Sequence, residues 1–184
     1  MVFTYDTDMT LMHAAALANT GPALGDEDRE DLPDLDALLA WMDRWEWTGR
    51  RPSTEAELDA VRRLRPRLRE IWSLPEDRLV EATNALLEEG RALPRLVRHG
   101  AFGWHVHATS DDAPLARRIA VEVGMALIDV IRGDETERLK VCAGDDCEDL
   151  LIDLSKNRSR KFCDGTCGTR ANVAAYRARK AATP

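Results

Sequence analysis

All four cysteines of this 184-residue chain fall in its last quarter, as two close pairs: Cys142 and Cys147 in "CAGDDC", Cys163 and Cys167 in "CDGTC". Two tight turns, each presenting two thiolates, can converge on one point, and four soft sulfurs suit a tetrahedral zinc ion. The fifteen residues between the pairs are enough for the chain to go out as a strand and return. Gly144 beside Asp145, and Gly165 after Asp164, supply the tight turns. A four-cysteine site leaves no open coordination position, so the expected cofactor is one structural zinc ion, not a hydrolytic one. The same spacing admits an iron–sulfur cluster, and two disulfides if the compartment is oxidising.

The basic residues crowd around these cysteines. Residues 155–184 hold eight Lys and Arg against Asp164 alone, a net of +7, so the remainder carries −14 of the chain's overall −7. A basic end on an acidic body calls for an anionic partner, or for docking on that body. Arg158, Arg160 and Lys161 lie between the pairs; Arg170, Arg177, Arg179 and Lys180 lie on a closing helix expected from about Thr169. At about 100° per residue, Arg170, Arg177 and Lys180 share one side of that helix and Arg179 lies nearer the other. These seven are the candidate nucleic-acid contacts. Duplex DNA is favoured over single strands, because only Phe162 and Tyr176 are at hand for base stacking. The competing readings are a solvated helix face, a zinc-stabilised protein-interaction module, and a thiol redox switch without direct DNA binding.

Other residues could do chemistry. His105 and His107 stand two apart on a strand, opposite Trp104 and Val106, and are expected on an exposed face. His13 is expected as a hydrogen-bonded core histidine. Trp41, Trp45, Trp47 and Met42 read as core, with a ligand pocket as the alternative. No phosphate-binding loop, zinc-protease motif, nucleophile elbow or catalytic pair is present, so the chain is not expected to be an enzyme.

The elements that position these residues are mostly helical. Met9 to Asn19 reads as a short buried helix, and residues 20–34 as an acidic surface loop. Apolar residues at 35, 38, 39, 41, 42 and 45 recur at helical spacing. Thr54 followed by Glu57 is a capping signal for the next helix, which Pro66 is expected to kink or split. Another helix starts near Pro75 and stops at Gly90. Phe102, Trp104, Val106 and Ala108 alternate as a strand, the second arm of a hairpin begun near Leu93. "APLARRIAVEVGMALIDVIRG", capped by Asp111 or Asp112, is the most hydrophobic helix and should be central. Two short strands then flank the first cysteine pair.

The expected fold is therefore α+β and mainly helical: a helical domain over residues 1–137 with a short β-hairpin, then a small four-cysteine zinc-finger module over 138–184 ending in a helix. No apolar run approaches the ~20 residues of a membrane helix. The N-terminal stretch lacks a basic region of signal-peptide type, so a cytoplasmic location and no membrane partner are expected.

The segment from Arg138 to Lys180, with "DLSKNRSRKFC" and "AAYRARK", resembles a CGNR zinc finger. The Cys-Gly-Asn-Arg stretch for which that family is named reads Cys167, Gly168, Thr169, Arg170 here. The last cysteine spacing is one residue shorter than the family pattern. "AALANT", "GWHVHAT" and "APLARRIAVEVGMALIDVIR" resemble the ABATE domain that accompanies this finger. The resemblance implies a bacterial, stress-induced transcription regulator. Its finger would bind DNA, and its helical domain would sense a small-molecule effector or form a homodimer. Thr169 cannot make the bidentate amide contact to adenine open to an Asn.

Overall fold

The computed structural model describes residues 2–23, 26–98 and 103–181. Its elements run α1 (Tyr5–Ala18), α2 (Leu35–Arg44), α3 (Glu55–Ile71), α4 (Glu76–Glu89), β1 (Arg95–Arg98), β2 (Trp104–His107), α5 (Leu115–Arg132), β3 (Leu139–Val141), β4 (Leu150–Ile152) and α6 (Gly165–Ala181). The fold is α+β and mainly helical. Local signals set most boundaries. Asp34 caps α2 by accepting from Ala37 N at 2.8 Å, Pro75 and Gly90 bracket α4, and Thr54 accepts from Glu57 N at 3.4 Å to open α3.

α5 is the central helix, packed against α1, α3 and α4. Leu11, Leu38, Leu58, Leu68, Leu86 and Leu127 are among the fully buried side chains that join these helices into one core. At Gly90 and Gly124 the α4–α5 contact is backbone-close: a Cβ on Gly124 would sit 2.9 Å from Leu87 Cδ2, and one on Gly90 would collide with Val121.

Four expectations are corrected. Helix α3 passes through Pro66 without a break. The ring removes the amide that would bond to the Arg62 carbonyl, but Arg65 Nε donates to that oxygen at 3.4 Å and serves in its place. Helix α5 is preceded by Pro114 as its cap residue, not by Asp111 or Asp112. Strand β2 is inverted relative to the expectation: His105 is 9% exposed and Trp104 68%. The strand turns its polar face inward because α1 and α5 present Asp6 and Glu122 there, beside a cavity that His105 and His107 also line. Finally, His13 has no hydrogen bond at Nε2, although the atom is buried. Phe102, expected in the same strand as Trp104, lies outside the described residues.

Packing does not stop at residue 137. Strands β3 and β4 pair antiparallel, with Leu139 opposite Ile152 and Val141 opposite Leu150. Leu150 and Ile152 join the helical core, while Leu151 on the other face packs with Cys142 and Cys167. β4 is thus buried on both faces, as period-two alternation permits when each face has a cover. Asn19 at the end of α1 brackets Leu150, donating to its carbonyl at 2.9 Å and accepting from its amide at 2.8 Å. Arg69 and Trp72 at the end of α3 donate to the Glu148 and Leu151 carbonyls at 2.6 and 3.0 Å.

Candidate metal centre

The four Sγ atoms lie within 4.8 Å of one another, and no disulfide joins them. Cys147 to Cys163 and Cys163 to Cys167 are each 3.7 Å apart. Zinc–sulfur bonds of about 2.3 Å in a tetrahedron require sulfur–sulfur edges of about 3.8 Å. The donor set therefore fits one zinc ion in number, chemistry and spacing. Cys142 and Cys167 are buried and the other two half-buried, so the site is closed.

Each pair is held by its own local device. Cys142 follows β3, and its N–H donates to the Asp149 carbonyl at 2.8 Å; Cys147 N donates to Gly144 O at 3.2 Å, closing the first turn. The second pair straddles the start of α6, which begins before the last cysteine and not after it. Asp164 is the reason: its carboxylate accepts from Cys167 N at 2.9 Å and caps the helix there. Thr169 is not the cap; its hydroxyl donates back to the Gly165 carbonyl at 2.8 Å.

Crowding works against ionisation when only the thiols are considered. Removal from water pushes Cys147 up to about 11 and raises Cys163 further, with neighbouring sulfurs adding to the rise at Cys163. Burial also opposes ionisation of Cys142, but the amides of Cys163 and Gly144 donating to its sulfur outweigh it and leave the thiol below its ordinary value. The four sulfurs would hold a divalent ion as thiolates, and its charge would offset this cost, so metal binding would favour the folded module.

The loop that returns from β4 is organised by Asp153, the first residue of the "DLSKNRSRKFC" run, and by Lys140. Asp153, fully buried, accepts from Lys140 Nζ at 2.6 Å, Ser155 N at 2.9 Å and Arg160 N at 2.9 Å. These donors lower its carboxyl to about 2 against the opposing cost of burial. Lys140 also donates to the carbonyls of Arg158 and Arg160, at 2.8 and 3.2 Å. An Asp two residues before a Ser was the available signal for this turn; nothing marked Lys140.

The seven basic candidates divide by environment. Arg158 is paired with Glu135 at 2.9 Å and with Glu137. Arg160 donates to the Phe162 carbonyl at 3.1 Å and the Cys163 carbonyl at 2.5 Å. Arg170 donates to Cys167 Sγ at 3.1 Å. All seven are exposed, and from Asn172 to Lys180 every residue of α6 is exposed. Tyr176 is 60% exposed on this helix, and among the described residues no core residue beyond Cys167 comes from it.

A CGNR zinc finger model matches residues 138–180. A model named ABATE, described as "Putative stress-induced transcription regulator", matches residues 13–134, about two thirds of the chain. No curated protein matches it. None of the described helices is long and apolar enough to cross a membrane. With four sulfurs set for zinc at the end of a helical body that the regulator model covers, the chain belongs to the ABATE family and carries a CGNR zinc finger as its C-terminal module.

Proposed function

We propose that the chain is a non-catalytic regulator that binds duplex DNA through α6 and the loop before it, with residues 1–137 receiving an effector. The observation that carries this reading is α6 itself. A 17-residue basic helix starts at the metal knuckle and then runs with no apolar cover. Isolated helices of this length are marginal in water, so a helix of this kind is made for a partner surface. Its charge selects phosphate, and its small residues Ala174, Ala175 and Ala178 let the backbone approach a groove. Lys161, Arg177 and Lys180 make the phosphate contacts. Arg158, Arg160 and Arg170, engaged within the protein, shape the finger and present it. A bound zinc ion supplies the cross-link that fixes both cysteine turns.

The test is titration of zinc-loaded protein against labelled duplex at several salt concentrations. Replacing Arg177 and Lys180 together by Ala removes two contacts. The log–log salt slope is expected to fall by about 1.8, from about 0.9 per phosphate. Unchanged slope and affinity in a folded double variant would overturn the assignment. Exposed Val173 and Tyr176 favour one second reading, docking of α6 on an acidic protein surface. That reading predicts that Tyr176→Ala weakens partner capture while the wild-type chain shows no salt-dependent DNA binding.

A further inference from the structure

Two adjoining cavities, of about 510 Å³ and about 100 Å³, open where α1, β2 and α5 meet. Asp6, Thr10, His105, His107 and Glu122 line both; the smaller one extends to His13, Trp45 and Trp47. The larger volume is that of a small-molecule site.

The lining specifies the ligand. Its carboxylates are Asp6 and Glu122, with Asp129 in the larger cavity and Glu46 and Asp111 in the smaller. The one arginine of the smaller cavity, Arg118, is turned onto backbone: it donates to the carbonyls of Ala113 at 3.1 Å, Arg50 at 2.6 Å and Thr48. In the smaller cavity an anionic ligand would meet these carboxylates without a free guanidinium fork to offset them; Arg132, exposed, lines only the larger one. An aromatic wall stands beside the carboxylates, with the His13 ring 4.9 Å from Trp45 and 5.7 Å from Trp47 between centroids. Such a wall takes a flat or cationic group. His13 Nε2 and Trp47 Nε1 are buried without any hydrogen-bond partner, a state that polar groups in folded chains rarely keep unless a ligand or water completes them. A metal ion is the wrong occupant: among the described residues, only the cysteine cluster brings three or more ligating atoms of His, Cys, Asp or Glu together. Burial drives Glu122 up to about 7, a cost that a cation beside it would relieve.

We propose that this cavity binds a small cationic, amino-bearing nitrogen heterocycle, whose N–H groups meet Glu122 and whose ring lies against His13, Trp45 and Trp47. The site deepens, and rests on, the reading of residues 1–137 as the effector-receiving part.

The experiment uses the full-length zinc-loaded chain and 2-aminobenzimidazole as probe, with indole-3-acetate as the anionic counterpart. Binding is followed by tryptophan fluorescence and calorimetry. Saturable binding of the cation, absence of binding by the anion, and a loss of about tenfold or more in Glu122→Gln are expected. Trp47→Phe is a second variant, expected to weaken the probe without disturbing the fold. Failure of the cation to bind, equal binding of the anion, or unchanged affinity in both folded variants overturns the proposal. Duplex affinity, measured with and without probe, separates the two readings. DNA binding without probe binding sinks the cavity and leaves the regulator. Probe binding with no change in DNA affinity keeps the cavity and sinks its role as effector site.

Discussion

Glu122 and His13 sit in one cavity and are perturbed in opposite senses. Burial moves the Glu122 carboxyl from 4.5 up to about 7, so its contribution to stability is complete below pH 4.5 and is lost as pH rises toward 7. Burial moves the His13 imidazole from 6.5 down to about 4, so its contribution is complete above pH 6.5 and is lost as pH falls toward 4. Each shift corresponds to about 3 kcal/mol, and over the shared window the two oppose one another. The wild-type chain should therefore show a shallow stability profile between pH 5 and 7. Glu122→Gln should leave a profile that rises with pH over that window, and His13→Phe one that falls. Urea unfolding at three pH values checks this; parallel profiles in both variants would refute the pairing. None of this was legible in sequence. An isolated His in an apolar helix reads as core, and a Glu in α5 reads as surface. Only the fold places β2 across α1 and brings them to one cavity. The cysteines were the reverse case, because their partners are each other and their spacing alone carried the message.

At the scale of elements, sequence is most informative where capping chemistry is local, as at Thr54 and Pro75, and least where a boundary depends on a second role. Helix α6 starts at Gly165 because Asp164 caps it while the neighbouring thiols converge. Sequence alone points to a start beyond the cysteines, whose evident role there is as ligands. Pro66 misled for a related reason: the donor that replaces its missing amide is a side chain one residue away. The α4–α5 contact rests on glycines whose necessity also appears only in three dimensions. Gly90→Ala would drive a methyl into Val121 and crowd the Leu86 carbonyl at 2.9 Å. The expected cost is about 1–3 kcal/mol, read as a lowered urea midpoint with unchanged slope. An unchanged midpoint would show that the two helices separate freely. Exchange of the exposed Gly103, around which a Cβ meets nothing within 4 Å, serves as the control for backbone strain at its φ of 69°.

The whole molecule combines a large apolar core with a four-cysteine cap. The satellite cluster of Cys142, Leu151 and Cys167, with Phe162 beside it, is too small to stand alone. Chelation of zinc should abolish the helical signal of α6 while the near-ultraviolet signal of the tryptophans, four of which belong to α2, α3 and the segments flanking them, persists. Loss of both signals together would mean that the core itself needs the metal. β4 is expected to survive chelation, since Leu150 and Ile152 are held from the helical side. Helix α1 gives this arrangement its mechanical meaning. Its His13 lines the cavity, and Asn19, just past its last turn, grips Leu150 on both backbone atoms. Six residues of helix separate the two, a stiff strut of about 9 Å at 1.5 Å per residue. A displacement of α1 at the cavity would be delivered to the metal module undamped, as by a crank and not a tether, and the orientation of α6 would be geared to whatever fills the space beside His13.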